Sequence, residues 1–365
     1  MSWENAKLSN YLDFANGKSI KAKKLGKYPI YGSNGIIGYT NKYRHTNGII
    51  LGRVGAYCGS VEYCSNNFWG SDNTIVVANK ENCDICFAYY LLKNSRLNNY
   101  AGGAAQPLLT QIVLKNVKTN FPELNVQQKI GSILSAYDDL IENNLRRIEL
   151  LEQAAMELYK EWFVRLRFPG HQHTKIRSDI PENWEKKRLI EVSDITMGQS
   201  PKSIYYNTDG DGLPFHQGVK DFGTRFITHS TYCTVKNRIG ESGDILFSVR
   251  APVGRLNITL DKIVIGRGLS AIRSKINHQS FLYYQLKTYF FKEDMIGTGA
   301  IFAAITKNDL HNLELPLPDH RLIEEFQEYS LPIDEQIKNL FLQNQKLRQG
   351  RDLLLPKLMN GEVEV

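Results

Sequence analysis

Cys83-x-x-Cys86, with Cys58 and Cys64 upstream, has the thiol count of a four-cysteine zinc site. The context argues against zinc. Cys83 and Cys86 open a helical stretch, Cys58 sits in a strand-like run, and free thiols are the expectation. Five cysteines leave one unpaired in any complete disulfide scheme, which fits a reducing compartment. His171-x-His173 has ligand-like spacing but lies in a polar linker. Pro318-Asp319 with Glu324 and Glu325 imitates a nuclease carboxylate cluster, yet no lysine stands two residues after either glutamate. A strand end followed by a helix start is the expected structure there. The chain has no Gly-x-x-x-x-Gly-Lys-[Ser/Thr] phosphate loop and no Asn/Asp-Pro-Pro-aromatic motif of an amino-methyltransferase. Catalysis and a resident metal or cofactor are not expected of this chain.

Recognition is the chemistry that remains. The net charge is +7, and residues 1–125 hold 14 Lys/Arg against 7 Asp/Glu, including Lys18, Lys21, Lys23, Lys24 and Lys27. Residues 179–319 are nearly balanced, 17 against 16. A basic domain suits a polyanion, although such a run also fits a solvated loop. Around the lysines stand Tyr31, Ser33, Asn34, Arg44 and Arg53; the second half offers His216, Gln217, Lys220, Arg225, His229 and Arg250. Arg, Asn, Gln and Lys are the types that pair with base edges, while Lys and Ser mainly grip phosphates. These residues are the candidate DNA contacts.

The elements that must position them are written twice. WENAKLSNYLDFANGKS from Trp3 aligns with WEKKRLIEVSDITMGQS from Trp184 at a shift of 181. GIILGRVGAYCG from Gly48 meets GDILFSVRAPVG from Gly243 at 195, and AGGAAQPLLT from Ala101 meets GTGAIFAAIT from Gly297 at 196. A repeat this long is a domain with an appendage rather than a solenoid unit. Short β-branched and aromatic runs open each copy, followed by FAYYLLKN from Phe87 or FLYYQLKT from Phe281, a Gly-rich loop, and a strand ending at proline. The expected fold class is α+β. Repeated segments read as scaffold and the unrepeated ones, Ser19–Gly48 and Ser200–Gly243, as readers.

Each copy ends in a heptad seam. Asn125 with Gln128 resembles a capping box, and Ile130, Leu134, Tyr137, Ile141, Asn144, Ile148, Leu151, Ala155, Leu158 and Trp162 follow in steps of four and three. The second seam is Phe326, Ser330, Ile333, Ile337, Leu340, Asn344, Leu347, Arg351, Leu354 and Leu358, with Pro332 and Pro356 expected to weaken it near both ends. Two amphipathic helices packing separately would also give this pattern. Paired antiparallel, however, positions summing to 488 put Ile141 on Leu347, Ile148 on Leu340 and Trp162 on Phe326. Asn144 then meets Asn344, and two asparagines in one layer can fix a register.

This order of motifs resembles the specificity (S) subunit of Type I restriction–modification enzymes across essentially the whole chain. The resemblance rests on IPENWEKKRLIEVSDITMGQSP from Ile180, YKEWFVRLRFPG from Tyr159, LLPKLMNGEV from Leu354 and KYPIYGSNGIIGY from Lys27. It implies two target recognition domains joined by two long helices in an antiparallel coiled coil. The partition is 1–125 for the first domain, 126–168 for its helix, 169–179 for a linker, 180–319 for the second domain, 320–359 for its helix and 360–365 for a tail. It also implies double-stranded DNA with a bipartite site, two modification subunits carrying S-adenosylmethionine, and two restriction subunits carrying ATP and Mg²⁺. Close alternatives are the specificity partner of a fused restriction–modification enzyme and a coiled-coil adaptor that binds protein. With no apolar run long enough for a membrane span, a cytoplasmic prokaryotic protein is expected. The seam from Ile130 to Trp162 would measure roughly 50 Å, or about 15 base pairs of B-DNA.

Overall fold

The computed structural model describes residues 3–103, 106–177, 180–290 and 304–365, and the chain divides into two compact units. The first comprises Met1–Asn144 with Gln343–Val365, and the second Leu145–Leu342. Each unit thus holds one copy of the repeated α+β domain, the start of one long helix and the end of the other.

The first unit contains β1 (Trp3–Lys7), β2 (Leu12–Asn16), β3 (Tyr28–Gly32), β4 (Gly35–Thr40), β5 (His45–Gly52), β6 (Val61–Gly70), β7 (Thr74–Asn79), α1 (Ile85–Asn94), α2 (Gln111–Asn116) and β8 (Lys118–Pro122). Long helix α3 (Leu124–Tyr159) starts here. Six strands form one sheet in the order β2-β7-β5-β6-β3-β4, and β1 pairs with β8. Alternation along the strands sorts the core. Ile49, Leu51, Ile75 and Val77 face the larger cluster with Phe87 and Leu91, while Ile50 and Val76 face Tyr31, Cys64 and Phe68.

The second unit contains β9 (Ile176–Arg177), β10 (Ile180–Pro181), β11 (Glu185–Arg188), α4 (Leu189–Val192), β12 (Ser193–Met197), β13 (Tyr206–Asn207), β14 (Leu213–His216), β15 (Tyr232–Cys233), β16 (Ile239–Gly240), β17 (Ile245–Ser248), β18 (Leu256–Ile258), β19 (Ile263–Ile265) and β20 (Leu269–Ser274). Then come α5 (Gln279–Phe290), α6 (Lys307–His311), β21 (Glu314–Leu317) and the start of long helix α7 (His320–Met359). Its sheets run β12-β20-β17-β18 and β13-β15-β14-β19-β16, with β11 paired to β21.

Elements shared by the two copies keep the shifts of the internal repeat. β7 and β20 coincide at a shift of 195, and the threonines that cap α2 and α6, Thr110 and Thr306, at 196. Most of the second copy's Gly-rich loop from Gly297 lies outside the described residues.

The long helices pair antiparallel. In the first unit Asn144 Nδ2 donates to Asn344 Oδ1 at 2.9 Å, and Asn344 Nδ2 donates to the Ile141 carbonyl at 3.3 Å. In the second unit Ile148, Leu151, Ile337 and Leu340 form one cluster, and the Trp162 and Phe326 rings meet at 6.1 Å. Two expectations about the helix ends need correction. No Asn125–Gln128 capping box forms, because α3 already begins at Leu124; buried Gln127 secures that end by donating to the Pro122 carbonyl at 2.8 Å. Nor do the prolines interrupt α7, which runs through both. Pro332 is exposed, with buried Ser330 and half-buried Asp334 anchoring the helix on either side of it. Ser280 Oγ lies 2.9 Å from Ser330 Oγ and 2.5 Å from the Asp334 carboxylate.

A repeated latch ties each α+β domain to a long helix. Tyr90 of α1 donates to Asp138 at 2.7 Å, and Tyr284 of α5 donates to Asp334 at 2.8 Å. Each carboxylate also takes an arginine, but from different sources: Arg351 of α7 on Asp138, and Arg225 of the second α+β domain on Asp334. Leu358 and Met359 close the core of the first unit, where Gly361 packs so tightly on Trp3 that a Cβ would sit 2.9 Å from the indole Nε1.

Candidate nucleic-acid interface

In the first unit the lysine cluster forms a strap along the outer edge of the six-stranded sheet. Lys23 and Tyr39 exchange both backbone hydrogen bonds, at 3.0 and 2.9 Å, so the strap covers the free edge of β4. Lys18, Lys21, Lys23, Lys24 and Lys27 are all exposed, as are Arg44 and, at the tip of the β3–β4 hairpin, Asn34. Ser33 is half-buried and donates to the Asn73 carbonyl at 2.7 Å. Arg53 is half-buried beside the same turn, its backbone N–H bonded to the Asn73 carbonyl, and its Nε has no partner in the protein. Tyr31 does not belong with these. It is buried edge-to-face against Phe68, at 5.7 Å.

The second unit brings its readers to the equivalent place. β3 runs parallel to β6 with Ile30 opposite Trp69 and Tyr31 opposite Gly70; β14 runs parallel to β19 with Phe215 opposite Val264 and His216 opposite Ile265. The partners differ by 195 and the strands by 185, so the supposedly unrepeated segments contain a repeated strand. Three backbone bonds recur in this frame. Gly17 to Thr74, Lys18 to Gly70 and Ser71 to Tyr31 match Gly198 to Leu269, Gln199 to Ile265 and Gly266 to His216. Both first members must be glycine, since a Cβ would fall 1.9 Å from the Ser71 oxygen or 2.1 Å from that of Gly266.

At this nexus Gln217, Lys220 and Arg250 are exposed. Sequence reasoning missed Ser200, whose Oγ donates to Gln217 Oε1 at 2.7 Å and accepts from the Arg267 N–H at 3.1 Å, and missed exposed Arg267 itself. Ser200 closes the first repeated segment and so read as scaffold; Asp72, the counterpart of Arg267, gave no hint of a cation.

Two other candidates are withdrawn as DNA contacts. Arg225 is 3% exposed and bonds Glu152 and Asp334, each at 2.6 Å, and Tyr284 at 2.9 Å. His216 is fully buried in a chain from Asp221 (3.2 Å) through His229 (2.9 Å) to Asp261 (3.0 Å). Neither side chain can turn to a duplex without emptying a buried polar site. Burial, then the neighbouring His229, pushes the His216 pKa down to about 4, while Asp221 opposes the shift. With the folded value below the unfolded one, stability is complete above about pH 6.5 and declines as the pH falls towards 4. Between pH 7 and 5 this one group should remove about 2 kcal/mol. In urea titrations at those two pH values, His216→Gln should narrow the gap between midpoints; an unchanged gap would place the titration elsewhere.

The other motifs resolve simply. Cys83 is buried, and burial followed by the charge of Asp84 pushes its thiol up to about 12. Asp319 accepts from the Arg321 N–H at 2.9 Å at the start of α7, and His171 and His173 sit in an exposed 3₁₀ turn.

Each unit therefore presents the same backbone nexus with a different set of polar side chains. The family profile described as Type I restriction modification DNA specificity domain matches residues 1–153 and again 181–333. The chain belongs to the Type I restriction–modification specificity family. Each match runs from a recognition domain into the long helix that follows it, so the repeat seen in this specificity chain is the family's own module. The chain is similar to a putative Type I restriction enzyme specificity subunit of Methanocaldococcus jannaschii, MjaX, at 31% identity over 95% of this chain and 82% of that one. A second relative from that organism, the MjaIX specificity subunit, is 29% identical over 76% and 69%. Among solved structures, the Type I S subunit from M. genitalium shares the fold, with a TM-score of 0.67 at 20% identity over 98% and 96% of the two chains. Among the described residues no helix is long and apolar enough to cross a membrane.

Proposed function

We propose that this chain supplies the DNA address of a Type I restriction–modification complex. Each recognition domain reads one half of a bipartite site through the side chains around its three-bond backbone nexus, and the paired helices fix the unread gap. The observation that carries this reading is the repeated backbone frame with different side chains. Lys18, Ser33, Asn34 and Arg53 surround it in one unit and Ser200, Gln217, Arg250 and Arg267 in the other. Two frames with two chemistries suit two unlike half-sites. The lysine strap adds a phosphate grip to the first unit, which makes its binding the more sensitive to salt. Modification and restriction subunits dock on the helices and bring S-adenosylmethionine, ATP and Mg²⁺, so the chain itself performs no bond chemistry.

The test is methylome mapping in cells that express the chain with its modification partner. One variant carries a heptad inserted between Ile141 and Ile148 and another between Leu340 and Leu347, which preserves the seam on both strands. Seven residues add about 10 Å of helix, or roughly three base pairs. The gap should lengthen by that amount while both half-sites stay the same. Changed half-site bases, or an unchanged gap in a methylating complex, would refute the ruler.

A further inference from the structure

We propose that His278, His320 and Glu324 form a binding site for one zinc-type divalent cation in the second unit. One ring nitrogen of each histidine and one Glu324 oxygen lie within 4.8 Å of one another. Two helix starts bring them together. His278 stands just before α5, where its carbonyl accepts from the Leu282 N–H at 3.0 Å; His320 and Glu324 are one turn apart at the head of α7, with Nδ1 and Oε2 3.4 Å apart. The two imidazole ring centroids lie 4.7 Å apart, with the ring planes tilted by 52°.

The second observation concerns His278 alone. Its side chain is 4% exposed, and its Nδ1 has no hydrogen-bond partner in the protein. An enclosed ring nitrogen left without a partner is unfavourable, so the position calls for a group that the polypeptide does not provide. His320 and Glu324 are about 60% exposed and leave the site open to solvent. Two imidazoles with one carboxylate suit Zn²⁺, Co²⁺ or Ni²⁺, with a fourth position for water; Mg²⁺ and Ca²⁺ prefer oxygen ligands. The N-terminal dipole of α7 opposes a cation, and the Glu324 carboxylate within the ligand set offsets it.

The set is private to this unit. At the shifts found for α1 and α5 (194) and for the long helices (196), the first copy has Asp84, Leu124 and Gln128. The site is therefore no remnant of the duplicated scaffold. A cation here pins the start of α5 to the start of α7, the two helices that the Tyr284–Asp334 bond joins further along.

The experiment uses the full-length chain stripped with chelator and titrated with Zn²⁺ by calorimetry and with Co²⁺ by visible absorption. The expected result is one ion per chain, a higher unfolding temperature with Zn²⁺ and none with Mg²⁺. His320→Ala should weaken Zn²⁺ by more than about tenfold, whereas His171→Ala with His173→Ala should leave it unchanged. No saturable binding, equal affinity in His320→Ala, or the charge-transfer band of cobalt on thiolate would overturn the proposal. Should His320→Ala fail to fold by circular dichroism, Glu324→Gln decides, and undiminished affinity there also overturns it.

Discussion

Replacing Arg225 with alanine is expected to destabilise the second unit by about 3–5 kcal/mol and to do so without any DNA present. The side chain is a hub between the recognition domain and both long helices. Its Nη1 donates to Glu152 of α3 and to the Tyr284 hydroxyl, its Nη2 donates to Asp334 of α7, and its guanidinium lies 4.3 Å from the centre of the Tyr283 ring. Glu152 takes a second cation, Lys287, at 2.6 Å. Burial alone would push the Glu152 carboxyl up, but Arg225 and then Lys287 hold it below the usual carboxylate range. Removing the arginine leaves Glu152 sharing one lysine and Asp334 with only hydroxyl donors, both still shielded from water. The loss is dominated by those stranded charges rather than by the value of the pair itself. Arg225→Met with Glu152→Gln and Asp334→Asn should therefore be more stable than Arg225→Ala alone. Urea unfolding followed by probes in each unit measures this, since two units need not melt together. A second-unit transition superimposable on the parent's would restore Arg225 to the DNA-contacting set.

That contrast shows how far the sequence could be read. The seams were legible because burial at a 3.5-residue spacing is a local pattern, and pairing positions that sum to 488 placed Asn144 on Asn344 and Trp162 on Phe326. The strand-like runs were legible from β-branched and aromatic residues set between turn formers, whereas the helix caps at Thr110 and Thr306 were not read from the sequence. Arg225 was not, because a guanidinium suits a guanine edge and a buried carboxylate equally well. Its partners lie 73 and 109 residues away, where no local signal reaches. One clue did exist. Tyr90 and Tyr284 recur, as do Asp138 and Asp334, and a repeated tyrosine with a repeated acid on a neighbouring helix foretells a latch needing a cation. The equivalence of β3 and β14 was hidden for another reason: Tyr28–Gly32 and Leu213–Gln217 share only the proline at Pro29 and Pro214. Backbone pairing to β6 and β19 fixes that register, and pairing leaves little trace in side-chain identity.

Asn144→Leu and Asn344→Leu should each cost about 1–3 kcal/mol, while the double replacement returns most of that loss. The two side chains are each 1% exposed. Asn144 Nδ2 donates both to Asn344 Oδ1 and, at 3.1 Å, to Gln343 Oε1, and Asn344 Nδ2 returns to the Ile141 carbonyl. Asn144→Leu takes the donor from the Asn344 oxygen and sets a branched alkyl group against a buried amide. Asn344→Leu leaves Asn144 its bond to Gln343, so the second single change should be the milder one. Two leucines instead give an apolar layer between Ile141 and Ile148, with no amide to satisfy. The cycle should then show a coupling of at least about 1 kcal/mol. Strict additivity would mean that the two amides act independently of each other. Stability is only part of the expected effect. An apolar seam without its polar layer can slip by a heptad, whereas paired amides penalise every register but one. The double variant should thus fold well yet hold its register less strictly, which disulfide trapping can detect: a cysteine at Leu140 should cross-link to one at Arg348 and, in a separate variant, also to one at Leu355, a heptad away.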